Sequence, residues 1–149
     1  MKPTKVWQSR PEILLMVMAA AMPIAFWAWV VLLNNFTVEV AAFTGKEIGV
    51  LQSLREVPGF LSFLVVYLLL IIAEQRLALL SLFILGVGVA LTGYFPTVIG
   101  LYITTVISSI GFHYYEACHQ SLSLQWLDKK TAPERMGLIY SVASLAKFL

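Results

Sequence analysis

Cysteine occurs once, at Cys118, so this chain can build neither an internal disulfide nor a cysteine-based metal centre. Charge is almost as scarce: Asp, Glu, Lys and Arg together make up 12% of the 149 residues, too few to cover the surface of a soluble domain. No His-Glu-x-x-His protease motif, nucleophile elbow or phosphate-cradling glycine loop occurs. An enzyme is therefore not expected, and neither is a cofactor, a metal or a nucleic-acid partner. A cleavable signal is also missing. The first apolar run is long enough to span and has no small-residue cleavage motif, so it is expected to serve as its own targeting signal.

What the chain has in excess is apolar side chains, 60% of all residues. That composition predicts an all-α integral membrane protein, a multi-span helix bundle in the lipid bilayer. The runs predict spans over residues 13–33, 48–72, 77–94 and 98–124, and an incomplete one over 136–149. Ser9-Arg-Pro-Glu12 reads as a capping box for the first span, and Thr44-Gly-Lys-Glu47 as a second box opening the next. Thr131-Ala-Pro-Glu134 repeats that chemistry ahead of a helix expected near Met136. Pro23 marks an expected kink. Residues 34–43 are expected to form the first loop. The third span carries no charge; its Gly86, Gly88, Ala90 and Gly93 read as a close-packing face. The last segment is still apolar at Leu149, so the chain is expected to be the first part of a longer one.

The polar groups inside these spans are the candidate site, because ionisable residues in hydrocarbon mark a cavity or pathway by default. The stretch Gly111-Phe-His-Tyr-Tyr-Glu-Ala-Cys-His-Gln120 concentrates them. At about 100° per residue, His113, Glu116 and Gln120 share one narrow arc, and His119 lies at its edge. His113 and Glu116 read as a proton relay or as a hydrogen-bonded pair that locks the bundle. Arg55, Glu56 and Lys147 are expected near one level close to the midplane. There Glu56 neutralises Lys147 or Arg55, either to leave a cation for substrate or to close an ion-pair network. Trp27 and Trp29 lie well inside the first span, so at least one should line a cavity or a helix contact.

Basic residues fall unevenly on the two sides. Lys2, Lys5, Arg10, Arg76, Lys129, Lys130 and Arg135 lie on one side, and Lys46 alone on the other. The positive-inside rule then predicts a cytoplasmic N-terminus, in the cell (inner) membrane.

Three stretches carry a family resemblance. Thr44-Gly-Lys-Glu-Ile-Gly-Val-Leu-Gln-Ser53 looks like a capped turn followed by an Ile-Gly-Leu-Leu type run. Ala73-Glu-Gln-Arg76 falls where a cytoplasmic Asp-Arg-x-Gly-Arg-Arg turn is expected, with Glu74 for the acid and Arg76 for a base; the glycines and second arginine are missing. Pro133-Glu-Arg-Met-Gly137 looks like a Pro-x-x-Arg-Gly stretch leading into a fifth helix. In these features the chain resembles the N-terminal part of a major facilitator superfamily (MFS) transporter. The resemblance implies part of the N-terminal six-helix half of a twelve-helix fold. It places the first and fourth helices at a central cavity, the second and fifth beside it and the third outside. It further implies secondary active transport of a small solute, with a co-transported proton or ion in many members. One departure stands out. Against the family's Arg-x-x-x-Gly-x-Gly in the fourth helix, Ile107 takes the arginine position and His113 the second glycine. The function expected is transport by alternating access, completed by the rest of the transporter. The alternative is a membrane scaffold or assembly protein whose buried polar groups serve packing alone.

Overall fold

The computed structural model describes residues 11–148, and these form helices with no strand among them. The box expected at Ser9 and the bases Lys2, Lys5 and Arg10 lie outside the described residues. Helix α1 spans Pro11–Glu39, α2 Gly45–Phe60, α3 Val65–Leu69, α4 Glu74–Thr92, α5 Val98–Trp126 and α6 Ala132–Ala146. Four helical segments are long and apolar enough to cross a bilayer: α1, α2 with α3 (Gly45–Leu69), α4 and α5. In hydrocarbon every backbone N–H and C=O must find an internal partner, and a helix supplies them all within the segment.

The ends follow from local chemistry. α1 runs past the expected stop at residue 33 to Glu39, because no glycine or proline interrupts it and Thr37 Oγ1 donates to the Asn34 carbonyl at 2.8 Å. It stops where Ala42 adopts a left-handed backbone (φ 53°), which lets Phe43 N–H return to the Thr37 carbonyl at 2.9 Å. α2 opens on a complete capping box. Glu47 accepts from Thr44 N–H at 2.7 Å, and Glu47 N–H reaches back to Thr44 Oγ1. The second span is not one regular helix. Pro58 has no N–H to give to the turn before it, and α2 ends at Phe60, gives way to a 3-10 turn over Ser62–Leu64 and resumes as α3.

The helix after the long loop starts earlier than expected, at Ala132. Thr131 does not cap it with its side chain. Its backbone is already helical (φ −105°, ψ −5°) rather than extended, so the hydroxyl turns back to the Asp128 carbonyl at 3.5 Å. α1 stays helical through Pro23.

α5 is the centre of the bundle: α4 packs along it most extensively, and α2 and α1 also lie against it. Buried positions in α5 recur at Leu101, Thr104, Ser108, Gly111, Tyr115, Cys118 and Leu122, alternating three and four residues apart. In α4 they recur at Ala78, Ser81, Leu85, Gly88 and Thr92. These are facing seams of antiparallel helices. Lipid tails are as apolar as leucine, so the seam is held by close contact, and small side chains permit it. A Cβ on Gly88 would run into Ser108, and one on Gly111 into the backbone of Ser81 and Leu85. Gly86 and Gly93 have nothing within 4 Å, and Ala90 is exposed. The close-packing role expected of that set therefore falls to Gly88. Three seam hydroxyls are satisfied inside their own helices: Thr104 donates to the Gly100 carbonyl at 3.0 Å, Ser108 to the Thr104 carbonyl at 2.9 Å and Thr92 to the Gly88 carbonyl at 2.9 Å.

α1 packs across this pair, with Phe26 stacked on Phe112 (4.0 Å between centroids) and Trp29 Nε1 donating to Thr92 Oγ1 at 3.0 Å. α6 lies mainly against α1. Two polar links tie one end of the bundle together. Arg135 pairs with Glu12 at 3.5 Å, and Gln125 donates to Glu74 at 2.6 Å. At the opposite end Tyr102 OH donates to the Glu47 carbonyl at 3.2 Å, with Phe43 edge-on to its ring. Arg76, Lys129, Lys130 and Arg135 thus belong to one end of the bundle and Lys46 to the other.

A candidate solute cavity between the first, fourth and fifth spans

A cavity of about 240 Å³ opens between α1, α5 and the last turns of α6. α1 supplies Met22, Pro23 and Trp27; α5 supplies Phe112, Tyr115, Glu116, His119 and Gln120; the α6 side supplies Ile139, Tyr140, Ser144 and Lys147. A second, larger groove of about 410 Å³ adjoins it and shares Pro23, Trp27 and Lys147. Trp27 and Lys147 therefore stand between the two spaces. Lys147 Nζ sits over the Trp27 ring, 5.0 Å from its centroid, an arrangement in which the face of an aromatic ring attracts a cation.

Glu116 and Lys147, the opposite charges of the cavity, form no direct salt bridge. The described residues contain two ion pairs, Arg55–Glu56 at 3.1 Å and Arg135–Glu12, and neither involves Glu116 or Lys147. Glu116 and Lys147 thus line one cavity from two helices without closing on each other. Tyr115, 1% exposed, adds a buried hydroxyl with no hydrogen-bond partner. Its ring stacks on His119 at 5.2 Å between centroids. The His119 Nε2 lies 3.1 Å from the Leu15 carbonyl, which holds that ring in place against α1. His119 is a positioned wall of the cavity rather than a group facing an open vestibule.

The expected polar stripe divides in two. Glu116 and Gln120 face the cavity with Trp27 and Lys147, whereas His113 turns to α2. There its imidazole fills the space above Gly59, where an added Cβ would lie 2.6 Å from the ring. His113 neighbours Arg55 and Glu56, which bond to each other through Nε and Oε1. Ser109 Oγ also donates to the Arg55 carbonyl, joining α5 to α2 one turn before Pro58. Arg55, Glu56 and His113 are thus a separate group on the α2–α5 contact and do not line the cavity. Of the two bases considered for Glu56, Arg55 donates to it, and Lys147 is left to Trp27. His113, Glu116 and His119 do not converge on a common point, and no metal-sized cluster of His, Cys, Asp or Glu occurs among the described residues.

Four polar lining residues lie outside the expected set: Tyr115, His119, Tyr140 and Ser144. The last two had a readable signal, since Tyr140, Ser144 and Lys147 are spaced i, i+4, i+7 and so share one face of α6. Tyr115 and His119 repeat on the buried seam of α5, where sequence alone does not separate packing from lining. No family model, curated protein or solved structure matches this chain.

Proposed function

We propose that this chain is part of a secondary active transporter of the major facilitator type, which moves a small solute across the cell (inner) membrane by alternating access. The observation that carries the reading is the cavity that Glu116 and Lys147 line from two helices without a salt bridge between them. A half-buried acid within a spanning helix costs stability unless something meets it, so such groups mark solute or ion pathways. Depth supports it. Counted at 1.5 Å per residue, Glu116 lies about 15 Å from the Trp126 end of α5, near the middle of a roughly 30 Å core. The helix order is also what this reading needs, with α1 and α5 at the cavity, α2 and α6 flanking and α4 behind α5.

On this reading the basic end of the bundle faces the cytoplasm, and further helices close the cavity from the open side. The broken second span beside Arg55, Glu56 and His113 is then the element that changes shape. Irregular backbone at membrane depth is tolerated where it is buried in protein or lines water. Ile107 stands where proton-coupled members carry arginine, so a co-transported proton would be exchanged at Glu116.

The test is solute uptake by proteoliposomes or cells carrying the complete transporter of which this chain is part, compared with Glu116→Gln at equal membrane level. A charged hydrogen-bonding group is worth about 1.5–3 kcal/mol, so the variant should lose roughly tenfold or more of the rate. Equal rates in the two forms would remove Glu116 from the pathway. A protein that inserts and folds but moves no solute in either form supports the other reading, a membrane scaffold.

A further inference from the structure

We propose that the α1–α5–α6 cavity binds a small zwitterion, an α-amino acid with an apolar side chain or a molecule of that pattern. The ligand carboxylate meets Lys147 and its ammonium meets Glu116. This rests on the transport reading only for its consequence, since the binding site is argued from the cavity alone.

The size comes first. At about 240 Å³ the space between these helices has room for a small molecule. The charge pattern comes second. Two walls carry opposite charges that do not pair, and neither has another ion-pair partner among the described residues. A simple anion would meet Lys147 and leave the half-buried Glu116 without a ligand partner; a simple cation would meet Glu116 and leave the exposed Lys147 to its surroundings. A ligand carrying both charges meets both groups at once and leaves the site neutral. The third observation is the Tyr115 hydroxyl, buried in the wall beside Glu116 and without a partner, which a ligand polar group can use. Trp27 and Phe112 complete the lining with aromatic surface for an apolar side chain.

Binding to the purified protein in lipid nanodiscs distinguishes these cases with three probes of one shape. L-leucine carries both charges, leucinamide only the ammonium, and N-acetyl-L-leucine only the carboxylate. L-leucine should bind at least about tenfold more tightly than either analogue. Glu116→Gln should weaken L-leucine while leaving N-acetyl-L-leucine unchanged, and Lys147→Gln should do the same for leucinamide. Wild-type binding of N-acetyl-L-leucine as tight as L-leucine would overturn the proposal in favour of an anion site with a protonated Glu116. Equal binding of leucinamide, or no binding of any probe, overturns it as well. The two readings fail separately. Zwitterion binding without uptake sinks transport and keeps the site, whereas uptake of a singly charged solute with no L-leucine binding keeps transport and sinks the site.

Discussion

Ala42 shows how single residues carry identifiable costs in this bundle. Its φ of 53° puts a Cβ in the left-handed region, which costs a non-glycine residue about 1–2 kcal/mol. Ala42→Gly should therefore raise stability by up to about 1 kcal/mol, measured by reversible unfolding in mixed micelles. Thr44 and Thr131 make a sharper pair, because their sequence contexts look alike and their geometries differ. Thr44→Ala should cost about 1 kcal/mol, the usual value of an N-cap hydroxyl. Thr131→Ala should lie within measurement error, since that side chain caps nothing. Equal losses at the two sites would contradict the geometry described for Thr131. Tyr115→Phe removes a buried hydroxyl that has no partner, so it should leave stability unchanged or slightly raised. Any loss it causes should appear in ligand binding instead.

The helices are held by contacts whose tolerance differs from face to face. On the α4–α5 seam, Gly111→Val places a side chain into the backbone of α4 and should destabilise the bundle by about 1–3 kcal/mol. Gly86→Ala, on the same helix pair but with open space around it, should be neutral or stabilising by up to about 1 kcal/mol through helix propensity. Steric-trap or denaturant unfolding of both variants reads the contrast. The second span obeys a different rule. Pro58 and Gly59 interrupt it, and Gly59 leaves the room that His113 occupies. Gly59→Leu must therefore push the imidazole out of the α2–α5 contact, a change visible as a shift in the His113 ring resonances.

For the whole molecule the arrangement of ends is the main result. Links from Arg135 to Glu12 and from Gln125 to Glu74 gather the basic turns at one end, and the Tyr102–Glu47 contact closes the other. A single orientation follows if the positive-inside rule governs insertion. Lys129→Cys should react with a membrane-impermeant thiol reagent only from the cytoplasmic face, and Lys46→Cys only from the opposite face. The native Cys118 is buried and should give little background. The reverse labelling pattern would invert the proposed topology.

Residue types and spacing were enough to show an all-helical chain with four apolar segments of spanning length, and the box at Thr44. A long apolar run in lipid has few ways to satisfy its backbone, and a box is a local hydrogen-bond pattern over four residues. They also marked the polar stretch of the fourth span, whereas the break of the second span after Pro58 came from the structure. The grouping of the polar side chains was decided by tertiary structure. His113 and Glu116 are three residues apart, which turns them about 60° around α5. On an isolated helix that counts as one face. In the bundle, α2 stands on one side of that arc and α1 on the other, so the same small angle sends His113 to Gly59 and Glu116 to Lys147. The partnering of Lys147 with Trp27, and of Arg55 with Glu56, depended likewise on which helices meet, a property of packing that no single segment contains.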